Sequence, residues 1–311
     1  MKFLKPMLPS LVTEIPKGEE WGYEVKYDGF RAMIYVEAGE TTIVSRNLNI
    51  LNEQFPEIIE AFRHLTPTLK HPLILDGELC VLDSELKANF EKIQHRGRLK
   101  NKEKIDQAKK LNPVIFLAFD LVMEDGNSLV KTPFLKRKRR LELLVEKRQN
   151  PQFLKYVPFN EDSTKLWKMV SDANGEGLIA KRKDSLWEEG QRSRQWLKIK
   201  NMMIASFFIL AYDDANAFFH IGCIYKGGTK LIGKVGQGFT KEEKEALTTI
   251  VKKNKVKTEN SLTYVNPSIC IEVEFLEISK NELRHPKFRR FRFDKSWEEC
   301  TWEAIPKGEL N

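Results

Sequence analysis

The segment EVKYDGFR, residues 24–31, brings a lysine, two carboxylates and an arginine close together in the sequence. Alternation along a strand places Glu24 and Lys26 on one face, and the Asp-Gly turn that follows brings Asp28 and Arg31 back toward Lys26. A deprotonated lysine amine can attack a phosphorus centre, but a free lysine has a pKa of about 10.4. The segment therefore predicts Lys26 as a nucleophile whose pKa must be lowered by its surroundings.

A second basic motif, WLKIK at residues 196–200, supplies cations for such a site. In a strand, Lys198 and Lys200 share one face, where a triphosphate would satisfy both charges. Their field is expected to lower the pKa of Lys26. Carboxylates for a hard divalent cation occur in the DGE segment at residues 76–78 and at Glu176. We expect Asp76 only to close a turn.

The elements that must position these motifs follow from hydrophobic periodicity. Strands and helices mix before residue 200, whereas short strands and glycine turns dominate after it. The pattern predicts a β-hairpin over 21–46, strands at 72–82 and 112–123, and helices at 53–65, 84–110, 134–148 and 241–253.

Two charged segments are interpreted as solvated surface. The run KRKRR at residues 136–140 is expected on an exposed helix face, with weak contact to a DNA backbone. Residues 84–110 are expected to form a second such face, on which Arg96 and Arg98 are available for phosphates.

Composition limits the class of protein further. The chain has 311 residues, enough for two domains, and 52 basic against 44 acidic residues give a net charge of +8. This excess points weakly to a polyanionic partner. Its four cysteines form no CxxC pair, which argues against a zinc ribbon. No signal peptide is recognisable, and no apolar run approaches the roughly 20 residues of a membrane-spanning helix.

The segment KYDGFR resembles the nucleotidyl-lysine motif of the covalent nucleotidyltransferase superfamily, which contains ATP-dependent DNA ligases, RNA ligases and mRNA capping enzymes. Further blocks resemble the remaining motifs and occur in the family's order, and together they cover nearly the whole chain. The Arg-His-Pro form of the last block resembles the bacterial end-joining type of ATP-dependent DNA ligase. The further blocks are SRN at 45–47, LDGE at 75–78, FD at 119–120, EGLIAK at 176–181, WLKIK at 196–200 and LRHP through RFDK at 283–295.

This resemblance implies an α+β fold. An ATP-grasp-like nucleotidyltransferase (adenylation) domain with antiparallel sheets and flanking helices is expected at residues 1–200. An OB-fold β-barrel is expected to follow at residues 201–311.

The resemblance also implies roles for individual residues. Lys26, with Asp28 in the same motif, would take AMP from ATP through a phosphoramide bond. Glu24 would contact the adenine edge and Phe119 would stack on the ring. The remaining roles are ribose and phosphate binding by Arg31 and Arg46, ribose or metal binding by Glu78, metal binding by Glu176, phosphate binding by Lys181, Lys198 and Lys200, and orientation of pyrophosphate by Arg292.

The expected function is therefore ATP-dependent sealing of nicks in duplex DNA, with Mg²⁺, or Mn²⁺ as the alternative metal. The resemblance suggests bacterial Ku or a separate repair polymerase as the protein partner. We expect the enzyme to be a monomer in the cytoplasm, associated with the nucleoid and without membrane contact. Two alternatives stay open at this point. One is an RNA ligase or capping-type nucleotidyltransferase, and the other is a catalytically inactive nucleic-acid-binding module.

Overall fold

The computed structural model describes residues 2–63, 71–146 and 152–306. Contacts within the chain define two compact units, Met1–Asn201 and Met202–Asn311. Within the described ranges, every helix is too short or too polar to span a membrane.

The first unit is built on two main sheets. Sheet A has the strand order β1-β12-β11-β2, and sheet B has the order β10-β8-β5-β3-β4, with β9 added to β8. Pairing is antiparallel except for β1 with β12 and β10 with β8. The strands are β1 (Leu8–Val12), β2 (Trp21–Val25), β3 (Phe30–Glu37), β4 (Glu40–Ser45), β5 (Leu73–Cys80), β6 (Leu82–Ser84), β7 (Lys87–Ala88), β8 (Ile115–Glu124), β9 (Asn127–Ser128), β10 (Leu154–Tyr156), β11 (Gly177–Arg182) and β12 (Arg192–Lys200). The helices are α1 (Pro56–Arg63), α2 (Phe90–Arg98), α3 (Lys102–Leu111), α4 (Phe134–Glu146) and α5 (Ser163–Asp172).

Helices cover the outer face of each sheet. Val170 of α5 packs with Leu178 and Ile199 of sheet A, and α1, α2 and α4 pack on one face of sheet B. The inner faces meet in a third apolar cluster, where Met33 of sheet B packs with Trp196 of sheet A. Because every second side chain of a strand lies on the same face, Arg31, two residues before Met33, and Lys198, two residues after Trp196, share these inner faces and line the cleft between the sheets.

The second unit is a seven-stranded sheet around one apolar core. Its order is β15-β14-β13-β17-β16, with β18 pairing β13 and β21. Phe207 and Ile209 of β13 contribute to this core with Leu247 and Val251 of α6. The elements are β13 (Met203–Asp213), β14 (Phe218–Tyr225), β15 (Gly228–Val235), α6 (Lys241–Lys253), β16 (Lys255–Glu259), β17 (Leu262–Val265), β18 (Cys270–Phe275), β19 (Ile278–Ser279), β20 (Glu282–Leu283), β21 (Lys287–Phe291) and a 3-10 helix (Trp297–Glu299).

The hairpin expected over residues 21–46 is correct only for β3 and β4. Strand β2 belongs to sheet A and pairs with β11, so the chain crosses from one sheet to the other just after Lys26. Gly29 permits this crossing, since a Cβ there would lie 2.2 Å from the carbonyl oxygen of Leu79. The segment at residues 24–31 therefore bridges the two sheets, and the alternation pattern alone did not reveal this.

The single helix expected over residues 84–110 is also wrong. A short hairpin of β6 and β7 precedes α2, and the side chains of Asn89 and Asn101 cap α2 and α3 separately. Helices α1 and α4 lie within their expected ranges, but residues 64, 65, 147 and 148 of those ranges lie outside the described residues.

Arg96 is fully buried, which contradicts its expected contact with phosphates. Its guanidinium forms a bidentate pair with Glu57, at 2.7 and 3.1 Å, and also donates to the carbonyl oxygen of Asn112. Glu57 in turn accepts from the N–H of Val114. This pair ties α1 and α2 to the segment that enters β8.

Replacing Arg96 with Met should therefore destabilise the first unit strongly, because Glu57 would be left buried without its cation. We expect a loss of about 3–5 kcal/mol in the free energy of unfolding, measured by urea denaturation. Asp83→Asn, which removes the partner of the more exposed Lys92, is the control and should cost less than about 1 kcal/mol. Equal losses in the two variants would contradict the structural role assigned to Arg96.

Candidate active site

Lys26 lies at the end of β2, where sheet A opens toward the cleft. Its backbone N–H donates to the carbonyl oxygen of Gly177, and its ammonium group lies 2.5 Å from the carboxylate of Glu176. Gly177 allows this close approach, since it has a φ of +140° and a Cβ there would lie 2.0 Å from the carbonyl oxygen of Ile199. Lys26 and Glu176 are 18% and 8% exposed, so the pair lies mostly out of water.

The pKa of Lys26 is raised above its ordinary value, not lowered. Burial alone would lower the pKa, but the carboxylates of Glu176, Glu78 and Asp28 outweigh burial. The expectation that neighbouring lysines lower the pKa of Lys26 is therefore wrong for the free protein. Burial and the charges of Lys26, Arg192 and Lys200 lower the pKa of Lys198 instead. In the free protein these carboxylates favour the protonated form of Lys26.

The carboxylates of this cluster crowd one another. Burial raises the pKa of Glu78 to about 8. The positive charges of Arg31 and Lys26 lower this pKa, whereas the negative charges of Glu176 and Asp28 raise it further. Burial likewise raises the pKa of Glu176, and Asp28 adds to that rise. Such a cluster gains stability from an additional cation.

Among the described residues, no three His, Cys, Asp or Glu side chains are grouped so that they alone could hold a metal ion. Magnesium is commonly bound by one or two carboxylates together with water and substrate phosphates. Glu176 and Glu78, both oxygen donors beside Lys26, are compatible with that kind of site.

Sheet B contributes Arg31 and Phe119 to the same cleft. Arg31 forms a bidentate pair with the buried Asp76, at 2.6 and 2.8 Å, and also donates to the carbonyl oxygen of Met7. The indole N–H of Trp187 donates to Asp76 as well. Asp76 therefore orients Arg31 from within β5, and the expectation that it only closes a turn is wrong. The guanidinium of Arg31 lies 4.3 Å from the centre of the Phe119 ring.

Glu24 lies at the buried end of the cleft between two ammonium groups. Lys138 is 2.5 Å from Glu24 Oε1, and Lys181 is 2.7 Å from Oε2. The ammonium of Lys181 is also surrounded by the rings of Phe119, Phe134 and Trp196, whose centres lie within 4.3 to 4.7 Å. Lys181 was expected to bind phosphates, but its ammonium lies against Glu24. On the neighbouring strand β12 it pairs in register with Trp196, two residues before Lys198.

The structure brings most of the expected site residues together. Asp28 borders an adjoining depression with Lys26, Arg46 and Glu78. Lys200 pairs in register with Gly177 and lowers the pKa of Glu176. The expected residues that line the pocket beside Lys26 are Glu24, Lys26, Arg31, Arg46, Glu78, Phe119, Lys181 and Lys198.

Arg292 lies in the second unit, just after β21. Its guanidinium forms a bidentate pair with Asp294, at 2.6 and 2.8 Å, and donates to the hydroxyl of Ser206. Its expected role with pyrophosphate stays a prediction.

Sequence reasoning missed Lys138, since the run at 136–140 was expected to be solvated. Arg137 and Lys138 are buried, and only the flanking residues of the run are exposed. The signal was present, because Phe134, Arg137, Lys138 and Leu141 follow the i, i+3, i+4, i+7 spacing of one helix face. Arg137 pairs with the buried Asp120, and Lys138 pairs with Glu24.

Comparisons with known proteins place this site in context. The family model of the ATP dependent DNA ligase domain matches residues 6–200, and that of the ATP dependent DNA ligase C terminal region matches residues 214–295. The bifunctional non-homologous end joining protein LigD of Bacillus subtilis (strain 168) is 36% identical over 311 residues, covering 96% of this chain and 51% of that protein. A DNA ligase of Thermococcus fumicolans is 30% identical over 335 residues, covering 96% of this chain and 57% of that protein.

Among solved structures, mycobacterial DNA ligase D complexed with ATP and MES has a TM-score of 0.57 and is 26% identical, covering 96% of this chain and 98% of that chain. The ligase domain of LigD from M. tuberculosis has a TM-score of 0.56 and 27% identity, with the same coverage. These matches confirm the expected combination of a nucleotidyltransferase domain and an OB-fold domain. The chain spans about half the length of the curated relatives it matches.

The raised pKa of Lys26 gives a direct test of this geometry. Glu176→Gln removes the nearest carboxylate, so we expect the pKa of Lys26 to fall by about 1–3 units in protein free of nucleotide and metal. Competitive labelling of the Lys26 amine across a pH series, followed by peptide mass spectrometry, measures the shift. Asp184→Asn, at an exposed acidic residue paired with Arg182, is the control and should leave the pKa unchanged. A labelling curve that stays in place in Glu176→Gln would refute the assignment.

Proposed function

The chain belongs to the ATP-dependent DNA ligase family, and we propose that it seals nicks between a 5′-phosphate and a 3′-hydroxyl in duplex DNA. The nucleophile in this proposal is Lys26. Residues 1–200 would act as the adenylation domain and residues 201–311 as the OB-fold domain. The observation that carries the proposal is the Lys26–Glu176 pair beside a pocket that also exposes Glu24, Arg31, Glu78 and Lys198.

In the first step, the amine of Lys26 attacks the α-phosphorus of ATP. The Lys26 ammonium must first lose one proton, for which Glu176 is the hydrogen-bonded acceptor. The nitrogen–phosphorus bond then forms as the bond to pyrophosphate breaks, and the second proton on the attacking nitrogen passes to solvent or to the departing pyrophosphate. Glu176 and Glu78 would hold Mg²⁺ or Mn²⁺, which when bound neutralises negative charge on the phosphates and on these carboxylates. Neutralising the carboxylates removes the reason for the raised pKa of Lys26.

The other residues of the pocket position the nucleotide. Glu24 and Lys181 would face the adenine edge, and Phe119 would stack on the base. Arg31, held rigidly by Asp76, would bind ribose and phosphate together with Arg46. Lys198 and Lys200 would bind the phosphates, where fixed cations stabilise the charge that spreads during transfer.

Two further transfers complete the reaction. AMP passes from Lys26 to the 5′-phosphate of the nick, so that Lys26 regains its amine. The 3′-hydroxyl then attacks the activated phosphate, a phosphodiester bond forms and AMP leaves. The enzyme regains its starting state with one ATP converted to AMP and pyrophosphate.

The family match favours DNA ligase over an RNA ligase, a capping-type enzyme or an inactive module. The similarity to LigD supports a role in joining broken DNA ends, with Ku or a separate repair polymerase as the partner. We also propose that the protein acts as a monomer in the cytoplasm, on the nucleoid.

The sealing of a 5′-phosphorylated nick with ATP and Mg²⁺ tests this proposal. Lys26→Ala should form no AMP adduct and seal no nick, because the variant lacks the amine that is proposed to attack the α-phosphorus. Lys168→Ala, at an exposed lysine of α5, is the matched control and should retain full activity. Adenylylation of the Lys26→Ala variant, or a wild type that neither takes up AMP nor seals, would overturn the proposal.

The role proposed for Arg292 predicts a difference between steps. Arg292→Ala should slow adenylylation of the enzyme by about tenfold or more, since a charge-assisted contact to pyrophosphate is lost. Sealing of DNA that already carries the 5′-AMP should be less affected, because pyrophosphate takes no part in it. An equal loss of rate in both assays would contradict the proposed contact between Arg292 and pyrophosphate. Arg290→Ala, at an exposed neighbouring arginine, is the control for the loss of a positive charge.

A further inference from the structure

The charge balance around Glu24 is unusual for a buried site. One carboxylate is paired with two ammonium groups, and all three side chains are at most 2% exposed. A single lysine would neutralise Glu24, whereas each additional buried charge carries a large desolvation penalty. Simple neutralisation of Glu24 therefore does not account for Lys138.

The two lysines differ in their relation to the pocket. Lys181 lines the pocket with Glu24, whereas Lys138 is not among the described residues that line it. Lys138 reaches Glu24 from α4, and its ammonium also lies 3.3 Å from the carbonyl oxygen of Phe119 and 4.3 Å from the centre of the Tyr156 ring. It is thus held in place by three groups and can act on a nucleotide only indirectly, through the pocket residues Glu24 and Phe119 that it contacts.

Glu24 and Lys181 retain hydrogen-bonding capacity that the protein does not use. Within the described residues, Glu24 Oε1 and Lys181 Nζ are buried and have no partner in hydrogen-bond geometry, although both lie in ion pairs. An adenine edge offers an amino donor beside a ring-nitrogen acceptor. The carboxylate and the ammonium are complementary to that pair of groups, and the complementarity depends on how Glu24 is turned.

We propose that Lys138 is a positioning residue for base selection, which fixes the Glu24 carboxylate so that it accepts from the 6-amino group of the adenine. The inference rests on the proposed function, in which ATP is the nucleotide. Each carboxylate oxygen is assigned to its own lysine, so Glu24 cannot turn to bind Lys181 through both oxygens. Without Lys138 that rotation is open, and the amino group loses its acceptor.

The ionisation of Lys138 is consistent with this role. Burial lowers the pKa of Lys138 to about 8, Lys181 lowers it further, and Glu24 opposes the fall. Lys138 therefore remains largely charged at neutral pH, chiefly through its contact with Glu24.

A pair of nucleotides separates base selection from general stability. Purine ribonucleoside 5′-triphosphate lacks only the 6-amino group of ATP, so the ratio of kcat/KM for enzyme adenylylation with ATP and with this analogue reports that single contact. A variant that merely lowers the amount of folded protein slows both reactions equally and leaves the ratio unchanged.

We expect Lys138→Met to lower this ratio by about tenfold or more relative to the wild type. Lys136→Met, the same substitution at an exposed position of α4, should leave the ratio unchanged. Should Lys138→Met fail to fold, Lys138→Gln should lower the ratio by a smaller factor, because its neutral N–H donor holds the Glu24 carboxylate more weakly than the ammonium does.

A ratio equal to that of the wild type in the folded Lys138 variant, even with both rates reduced, would overturn the positioning role. A wild type that takes up AMP from neither nucleotide would instead overturn the proposed function, and the base-selection role would fall with it. The two failures are therefore distinguishable in the same assay.

Discussion

The contact between the Lys26 ammonium and the Glu176 carboxylate is the interaction on which the site depends. It joins the end of β2 to the start of β11 at the point where the chain leaves sheet A for sheet B. The same contact favours the protonated form of Lys26, since Glu176, Glu78 and Asp28 outweigh burial and raise its pKa. If Lys26 is the nucleophile, as proposed, its activation requires that the negative charge of these carboxylates be neutralised.

Charges elsewhere in the cleft are held by the same means, through pairing with buried partners. Asp76 fixes Arg31, Asp120 fixes Arg137, and Glu24 is fixed by lysines on both sides. Breaking such pairs is costly, so they hold side chains in one arrangement. A rigid arrangement suits phosphoryl-type transfer, in which positioning and charge neutralisation supply most of the catalysis.

Alternation was enough to predict which faces carry the chemistry. Lys198 lies in register with Ile179 and Glu24 on one face of sheet A, while Leu197 and Ile199 pack with the apolar cluster on the other. The sequence could not reveal which strands share a sheet, because β2 pairs with β11, about 150 residues later. Hydropathy could not identify Arg96 as buried, since it scores a charged residue without regard to its partner. For Lys138 the only signal was its spacing from Phe134 and Leu141 on one face of α4. In these cases long-range pairing of charges overrode the local pattern.

Peptide mapping of the AMP adduct tests the central claim most directly. Wild-type protein incubated with ATP and Mg²⁺ should carry one AMP on the peptide that contains Lys26, attached through a bond that acid cleaves and alkali does not, as for a phosphoramide. AMP on a different residue, or a linkage with the opposite lability, would contradict the assignment of Lys26 as the nucleophile.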